Sequence, residues 1–355
     1  MSLQGALFCS GYENPHSEKE TSKKLNHCSY ETLPHPANLS DLSSKDGHIL
    51  HRINNFVKDR VLRNQTASQT DFGGFVPNIY NAAREGVWFT EGVSPQYVTM
   101  TSTNHMGLST GLHAESHGVV GNVFYEKSTL RKFDYFNLSH TPGVIKDSKD
   151  PQWVRGEPIW VTNEKADATR HSACLYWPLG DIQFPNAEMP KFFKYVSEPD
   201  HTLHENGFFN GELPKTLKQL DEVFGYLIER LSTEELLDQI NIVFTADHGH
   251  SEIEGTKKMM CIKDYVDYNR VHYAERMLYA NDEETIQEAY RNLTRAQKDF
   301  KFKMYFRNDT VLKRYFYTKM PDRIGDIVLE PEVGYEVGNK CSKKELRWLV
   351  ELEQA

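Results

Sequence analysis

Apolar residues return every three or four positions between residues 213 and 231: Leu213, Leu217, Leu220, Val223, Phe224, Leu227, Ile228 and Leu231. That period places them on one face of an amphipathic helix, and Pro214 is tolerated in its first turn. Residues 240–244, Ile-Asn-Ile-Val-Phe, follow as a short apolar run of the kind that forms a buried strand. A helix followed by a buried strand is the rhythm of a doubly wound sheet.

The same reading extends along the chain. Residues 77–86 predict a short helix, with Ile79, Ala82 and Ala83 on one face and Gly86 as the stop. Residues 97–100 read as a strand that runs into the hydroxyl-rich turn Thr101-Ser102-Thr103. A short helix at 104–112 and the run 113–118 follow. Residues 123–125 read as extended and 126–150 as polar loop. Residues 153–160 bring two tryptophans and a helix-start signal, and 171–177 and 192–196 read as strands. Later come a second amphipathic helix at 283–300 and strands at 303–306 and 323–329. Residues 1–45 show no sustained period and read as a poorly ordered arm, with a weak strand candidate at 48–57. Residues 341–355 form a polar tail, weakly helical over 343–354. One domain is expected over 46–340. Its predicted class is α/β, a doubly wound, mostly parallel sheet with helices on both faces.

Composition narrows the function classes. The 355 residues suffice for a large α/β domain. A net charge of −9 argues against nucleic acid, duplexes included, as the main partner, because phosphate backbones select basic faces. No run approaches the roughly 18 apolar residues of a membrane span, and residues 1–9 lack the basic region of a signal peptide. The five cysteines, Cys9, Cys28, Cys174, Cys261 and Cys341, form no CxxC pair and leave at least one unpaired within the chain. Five Asn-x-Ser/Thr sequons, at Asn38, Asn64, Asn137, Asn292 and Asn308, lean towards the secretory pathway.

In open α/β sheets, ligand residues lie just beyond the carboxyl ends of strands. Thr101, Asp200 and Asp247 all follow strand candidates in this way. A hydroxyl at a strand-to-helix junction lies beside unpaired backbone N–H groups, which suit a phosphate; such hydroxyls also serve simply as helix caps. Asp200 and His204 are four apart, a spacing that lets a carboxylate and an imidazole face one ion. Asp247 and His248 are adjacent, which suits a loop. Zinc accepts both ligand types, and two ions about 4 Å apart would clamp the oxygens of an in-line phosphoryl displacement.

With these residues in hand, the chain over about 48–335 resembles the ectonucleotide pyrophosphatase/phosphodiesterases of the alkaline phosphatase superfamily. The resemblance rests on Thr99-Met100-Thr101-Ser102-Thr103-Asn104-His105, Thr110-Gly111-Leu112, Glu115-Ser116-His117-Gly118, Gly156-Glu157-Pro158-Ile159-Trp160-Val161-Thr162, Tyr176-Trp177-Pro178, Glu198-Pro199-Asp200 with His204, and Ala246-Asp247-His248-Gly249. It implies an alkaline-phosphatase-like fold and a zinc-dependent hydrolase of phosphodiester and pyrophosphate bonds. It implies Thr101 as nucleophile through a phosphothreonine, and Asn122 as holder of a phosphate oxygen. It places Thr101, Asp247 and His248 on one zinc, and Asp200 and His204 on the other. The implied substrate is a nucleotide or other small phosphodiester, and the implied setting is extracellular or the secretory lumen, as a glycoprotein.

The chain departs from that pattern in places. Where the family has a zinc-binding Asp, the best register puts Asn54, a neutral and poorer ligand. The family's last zinc-binding His-Gly is not found; beyond His248 and His250 there is only His272, so the fold reads as incomplete at the C-terminus. Only residues 179–190 separate the strand ending at Pro178 from the next, short for a parallel crossover. Beside the nucleophile, where nucleotide-cleaving members carry an aromatic to stack the base, this chain has Ser102, which is expected with Asn122 to face the substrate, and Met100 stands where a Lys often precedes it. The alternative reading is a catalytically impaired member, a binding protein with a partial metal site.

Overall fold

A computed structural model describes residues 76–89, 93–135, 150–167, 169–170, 172–175, 177–180, 182–184, 193–194, 198–253, 258–339 and 350–351. The arm expected at 1–45 and the strand candidate carrying Asn54 lie outside them. In chain order the described helices are α1 (Pro77–Glu85), α2 (Thr101–Thr110), α3 (Ala114–His117), α4 (Ile159–Ala166), α5 (Asp200–Asn206), α6 (Glu212–Thr233), α7 (Glu283–Ala296) and α8 (Thr310–Arg314). The strands are β1 (Val123–Glu126), β2 (Arg131–Asp134), β3 (Cys174–Leu175), β4 (Phe193–Lys194), β5 (Ser251–Glu252) and β6 (Met259–Cys261). They continue with β7 (Val271–Ala274), β8 (Met277–Ala280), β9 (Phe302–Phe306), β10 (Ile327–Pro331), β11 (Glu336–Gly338) and β12 (Val350–Glu351). None of the described helices is long and apolar enough to cross a membrane.

The chain divides into two compact units. One runs up to Ser94 and resumes over Ile159–Ala246; the other comprises Pro95–Pro158 and the chain from Asp247 onward. The first unit is built on α6, which buries Leu213, Leu217, Phe224 and Leu231. Val223, expected on that face, is 66 % exposed, and Asp221 is buried. The Asp221 carboxylate accepts the backbone N–H groups of Asn78 at 3.2 Å and Ile79 at 2.8 Å, at the first turn of α1. Those donors have no partner within their own helix, and a negative charge at a helix N-terminus is favourable. β3 and β4 pair in parallel in this unit, with Cys174 opposite Phe193. Trp160 of α4 packs edge-on against Trp177.

The second unit holds a four-stranded antiparallel sheet in the order β7-β8-β10-β9. Asp282 caps α7 by accepting the Thr285 N–H at 2.7 Å. The helix then lays Ala289, Leu293 and Ala296 into a core with Leu278, Ile327, Leu329 and Phe302. β6 and β11 pair in parallel, and β5 and β12 antiparallel. β1 and β2 form a hairpin in which Phe124 lies opposite Phe133, ring on ring at 4.8 Å.

The molecule is thus α/β, with parallel pairing at β3–β4 and β6–β11, while the other described ladders are antiparallel. Several local expectations are corrected. Residues 97–100 are not a strand, and α2 begins at Thr101 rather than 104 because Met100, with extended backbone, is its N-cap. It ends at Thr110, since Gly111 takes the left-handed conformation that closes helices. Residues 240–244 join no ladder among the described residues, and Val243 is 67 % exposed. An apolar run supplies strand propensity, but a strand also needs a neighbouring edge about 4.8 Å away. The polar loop at 126–150 contains β2, whose single inward apolar residue, Phe133, finds its partner in Phe124. The strand expected at 323–329 begins only at Ile327; Arg323 ahead of it is buried, with its guanidinium turned to the Gly118 and Trp153 carbonyls. Of the tail at 343–354, the described part is a strand, not a helix.

Candidate metal and nucleophile site

Thr101 is the first residue of α2, and none of its neighbouring hydroxyls caps the helix. The Thr101 hydroxyl lies 3.0 Å from His248 Nε2. Ser102 instead turns inward, donating from Oγ to the Gly121 carbonyl at 2.9 Å. Asn104 fastens the approach to the helix: its Oδ1 accepts the Gln96 N–H at 2.7 Å and its Nδ2 donates to the Met100 carbonyl at 2.9 Å. α2 is therefore held at its N-terminal end by side chains of its own motif.

Asp247 and His248 lie in an irregular loop of the same unit, both buried. Asp247 Oδ2 is 3.2 Å from His248 Nε2. His248 Nδ1 is 3.1 Å from the Gly249 carbonyl. A carbonyl only accepts, so Nδ1 carries a proton, and in the neutral imidazole Nε2 then presents a lone pair. His105, one turn into α2, donates from Nδ1 to the Thr101 carbonyl at 2.7 Å and stands 3.4 Å from Asp247 Oδ2. His250, fully buried, sets its ring 5.2 Å from that of His248. The sequence brought Thr101, Asp247 and His248 forward. His105 and His250 were visible only as members of the Asn-His and His-Gly-His runs, with no role attached.

The donor set fits a zinc ion. Two electron-rich atoms, the His248 Nε2 lone pair and Asp247 Oδ2, face each other at 3.2 Å, an arrangement that calls for a cation or proton between them. Hydroxyl, carboxylate and imidazole are all zinc ligands. With zinc–ligand bonds of about 2.0–2.1 Å, tetrahedral ligand atoms sit roughly 3.3 Å apart, close to the 3.0 and 3.2 Å separations here.

The other expected couple is found in the first unit. Asp200 opens α5 and His204 follows one turn later, with Oδ1 and Nε2 3.5 Å apart. Asn122 lies in the second unit, where its Oδ1 accepts the Ser102 N–H at 2.8 Å and so abuts the turn that begins at Thr101. Ser102, expected to face the substrate, is buried with its hydroxyl committed to Gly121. Asn54, the remaining expected ligand, lies outside the described residues.

The rest of the family-like motif forms framework. Glu115 accepts the N–H groups of Thr318 and Lys319 at 2.8 and 2.9 Å. Burial alone would raise its pKa, but these bonds and the Lys319 ammonium hold it below the usual value. His117 Nδ1 accepts the Val119 N–H at 3.2 Å. Burial, with His113 nearby, pushes its imidazole down to about 3. Arg323 donates to the carbonyls of Gly118 and Trp153 at 2.9 and 2.7 Å.

Comparison with known proteins gives the family and the fold. The family model for type I phosphodiesterase / nucleotide pyrophosphatase matches residues 65–195 and 191–352, and the chain belongs to that family. Mouse bis(5'-adenosyl)-triphosphatase enpp4 is 27 % identical over 304 residues, covering 76 % of this chain and 63 % of the mouse protein. Rat ectonucleotide pyrophosphatase/phosphodiesterase family member 1 is 28 % identical over 232 residues, covering 56 % of this chain and 24 % of the rat protein. The chain thus spans less than two thirds of either relative. Among solved structures, murine ectonucleotide pyrophosphatase/phosphodiesterase 5, an inactive Thr-to-Ala variant in complex with AMP, superposes with a TM-score of 0.61 at 23 % identity. That match covers 71 % of this chain and 72 % of the murine one, and it establishes the alkaline-phosphatase-like fold.

Proposed function

We propose that this chain hydrolyses phosphodiester or phosphoanhydride bonds of a nucleotide or other small phosphodiester, with Thr101 as nucleophile. The observation that carries the reading is the convergence of the Thr101 hydroxyl, His248 Nε2 and Asp247 Oδ2 at the start of α2. Thr101 Oγ1 attacks phosphorus, forming an ester bond as the bond to the leaving oxygen breaks; water then hydrolyses the phosphothreonine and frees Thr101. Asn122, its Oδ1 held by the Ser102 N–H, offers its Nδ2 group to a phosphoryl oxygen. Thr101, Asp247 and His248 would hold one zinc ion, and Asp200 with His204 would serve a second. Zinc bound there supplies a lowered hydroxyl pKa and positive charge opposite the phosphoryl oxygens.

The relatives support this reading at the level of chemistry. One is a bis(5'-adenosyl)-triphosphatase, and another was caught with AMP as an inactive Thr-to-Ala variant. Ser102 points inward, so base stacking beside the nucleophile is not part of the proposal. Cys261 is disulfide-bonded, which favours an oxidising, secretory or extracellular setting; Cys174 is a free buried thiol. The test is Thr101→Ala. Turnover of bis(p-nitrophenyl) phosphate or diadenosine triphosphate should fall by at least about a thousandfold. A variant that keeps wild-type turnover would remove Thr101 from the mechanism. If the wild-type chain itself turns over neither substrate, the impaired-member reading motivated by Asn54 takes precedence.

A further inference from the structure

The two-residue turn between β7 and β8 is made by Glu275 and Arg276, with φ of 41° and 72°. Such turns favour Asn-Gly, because both central residues need positive φ. Two bulky residues strain the backbone there, and side-chain bonds hold them in place. Arg276 makes a two-pronged pair with Glu336 of β11, Nε to Oε1 at 3.1 Å and Nη2 to Oε2. Glu275 reaches the other way. Its Oε2 accepts, at 2.9 Å, the N–H of Val123, the residue directly after Asn122. A Cβ on Gly121 would come within 3.2 Å of that oxygen, so the strand start lies directly on the carboxylate. The segment held this way, Gly121 to Val123, is the one that grips α2: the Gly121 carbonyl takes the Ser102 hydroxyl and Asn122 Oδ1 takes the Ser102 N–H.

We propose that Glu275 is a positioning residue for the phosphoryl-transfer site, fixing Asn122 and, through it, the turn that presents Thr101. The proposal rests on the functional reading above. Glu275 makes no bond to Thr101 or to a candidate metal ligand; it acts on the backbone that flanks Asn122, through the Val123 N–H.

Glu275→Ala should lower kcat for bis(p-nitrophenyl) phosphate on the order of 10- to 100-fold, as misplacement of a reacting group does, with KM within about twofold. Glu275→Gln keeps an acceptor oxygen and should recover most of that loss. In an Asn122→Ala background, Glu275→Ala should cost less than about twofold more, because both act on one element. A folded Glu275→Ala enzyme with wild-type kcat, or losses that multiply across the double variant, would overturn the assignment. Amide hydrogen exchange gives a readout that needs no turnover. Exchange at Ser102 and Val123 should quicken by at least about tenfold in Glu275→Ala, with α7 unchanged, and much less in Glu275→Gln. If Glu275→Ala does not fold, Glu275→Asp, one methylene short of Val123, should give the same local quickening. Unchanged exchange at Ser102 in whichever variant folds refutes the positioning role. Loss of the Thr101→Ala effect with quickened exchange instead refutes the catalytic reading alone.

Discussion

His117 shows how a motif residue can look catalytic and act as framework. Its Nδ1 is occupied by the Val119 N–H, so protonation would break a buried bond as well as bury a charge. Its pKa of about 3 lies below the ordinary 6.5. Between those values the unfolded chain binds more protons than the folded one, so stability falls as the pH drops from about 6.5 towards 3 and is fully present above 6.5. Urea midpoints between pH 7 and pH 4 should therefore fall less steeply for His117→Gln than for the wild type. Parallel slopes would mean that His117 titrates normally in the folded protein. Thr101, Asp247 and His248 stand out as candidates because their residue types announce chemistry; His117 and Glu115 announce the same types, and only their partners reveal a structural use.

At the level of elements, periodicity was a sound guide where one face of a helix does the packing. The helices expected at 77–86, 213–231 and 283–300 are α1, α6 and α7. The β7–β8 hairpin carried no such signal, because Glu275-Arg276 has none of the turn chemistry that a positive-φ pair advertises. The residues 240–244 carried the opposite error, propensity without a partner edge. Position 118 makes the element-scale argument testable. Gly118 closes α3 at φ 88°, and a Cβ there would stand 2.7 Å from Arg323 Nη1 and 2.9 Å from the Trp153 carbonyl. Gly118→Ala therefore combines a left-handed backbone with a clash against a buried guanidinium. It should destabilise by about 2 kcal/mol or more, seen as a lower thermal midpoint. Gly111→Ala, at φ 69° with open space around it, should cost less. Equal losses at the two positions would mean that strain, not the Arg323 contact, sets the cost.

For the whole molecule, the argument turns on what a buried carboxylate beside an imidazole lone pair requires. Asp247 and His248 place two acceptors 3.2 Å apart in an interior position, with the Thr101 hydroxyl alongside. Burial takes these groups out of water, so a cation or proton shared between them is what stabilises the pair. A metal that binds the folded chain and not the unfolded one stabilises it by about 2.7 kcal/mol at a 100-fold excess over Kd. Chelation with EDTA should therefore lower the thermal midpoint together with turnover, and added zinc should restore both. Asp247→Asn should bring metal content down by about one equivalent per chain and shrink the chelator-dependent shift. In that variant the stability of the apo form should match or exceed that of the wild-type apo form, because one buried charge is gone. Should EDTA leave the wild-type midpoint where it was, the Thr101–Asp247–His248 cluster would be held by a proton rather than a metal, and the hydrolase reading would lose its chemical basis.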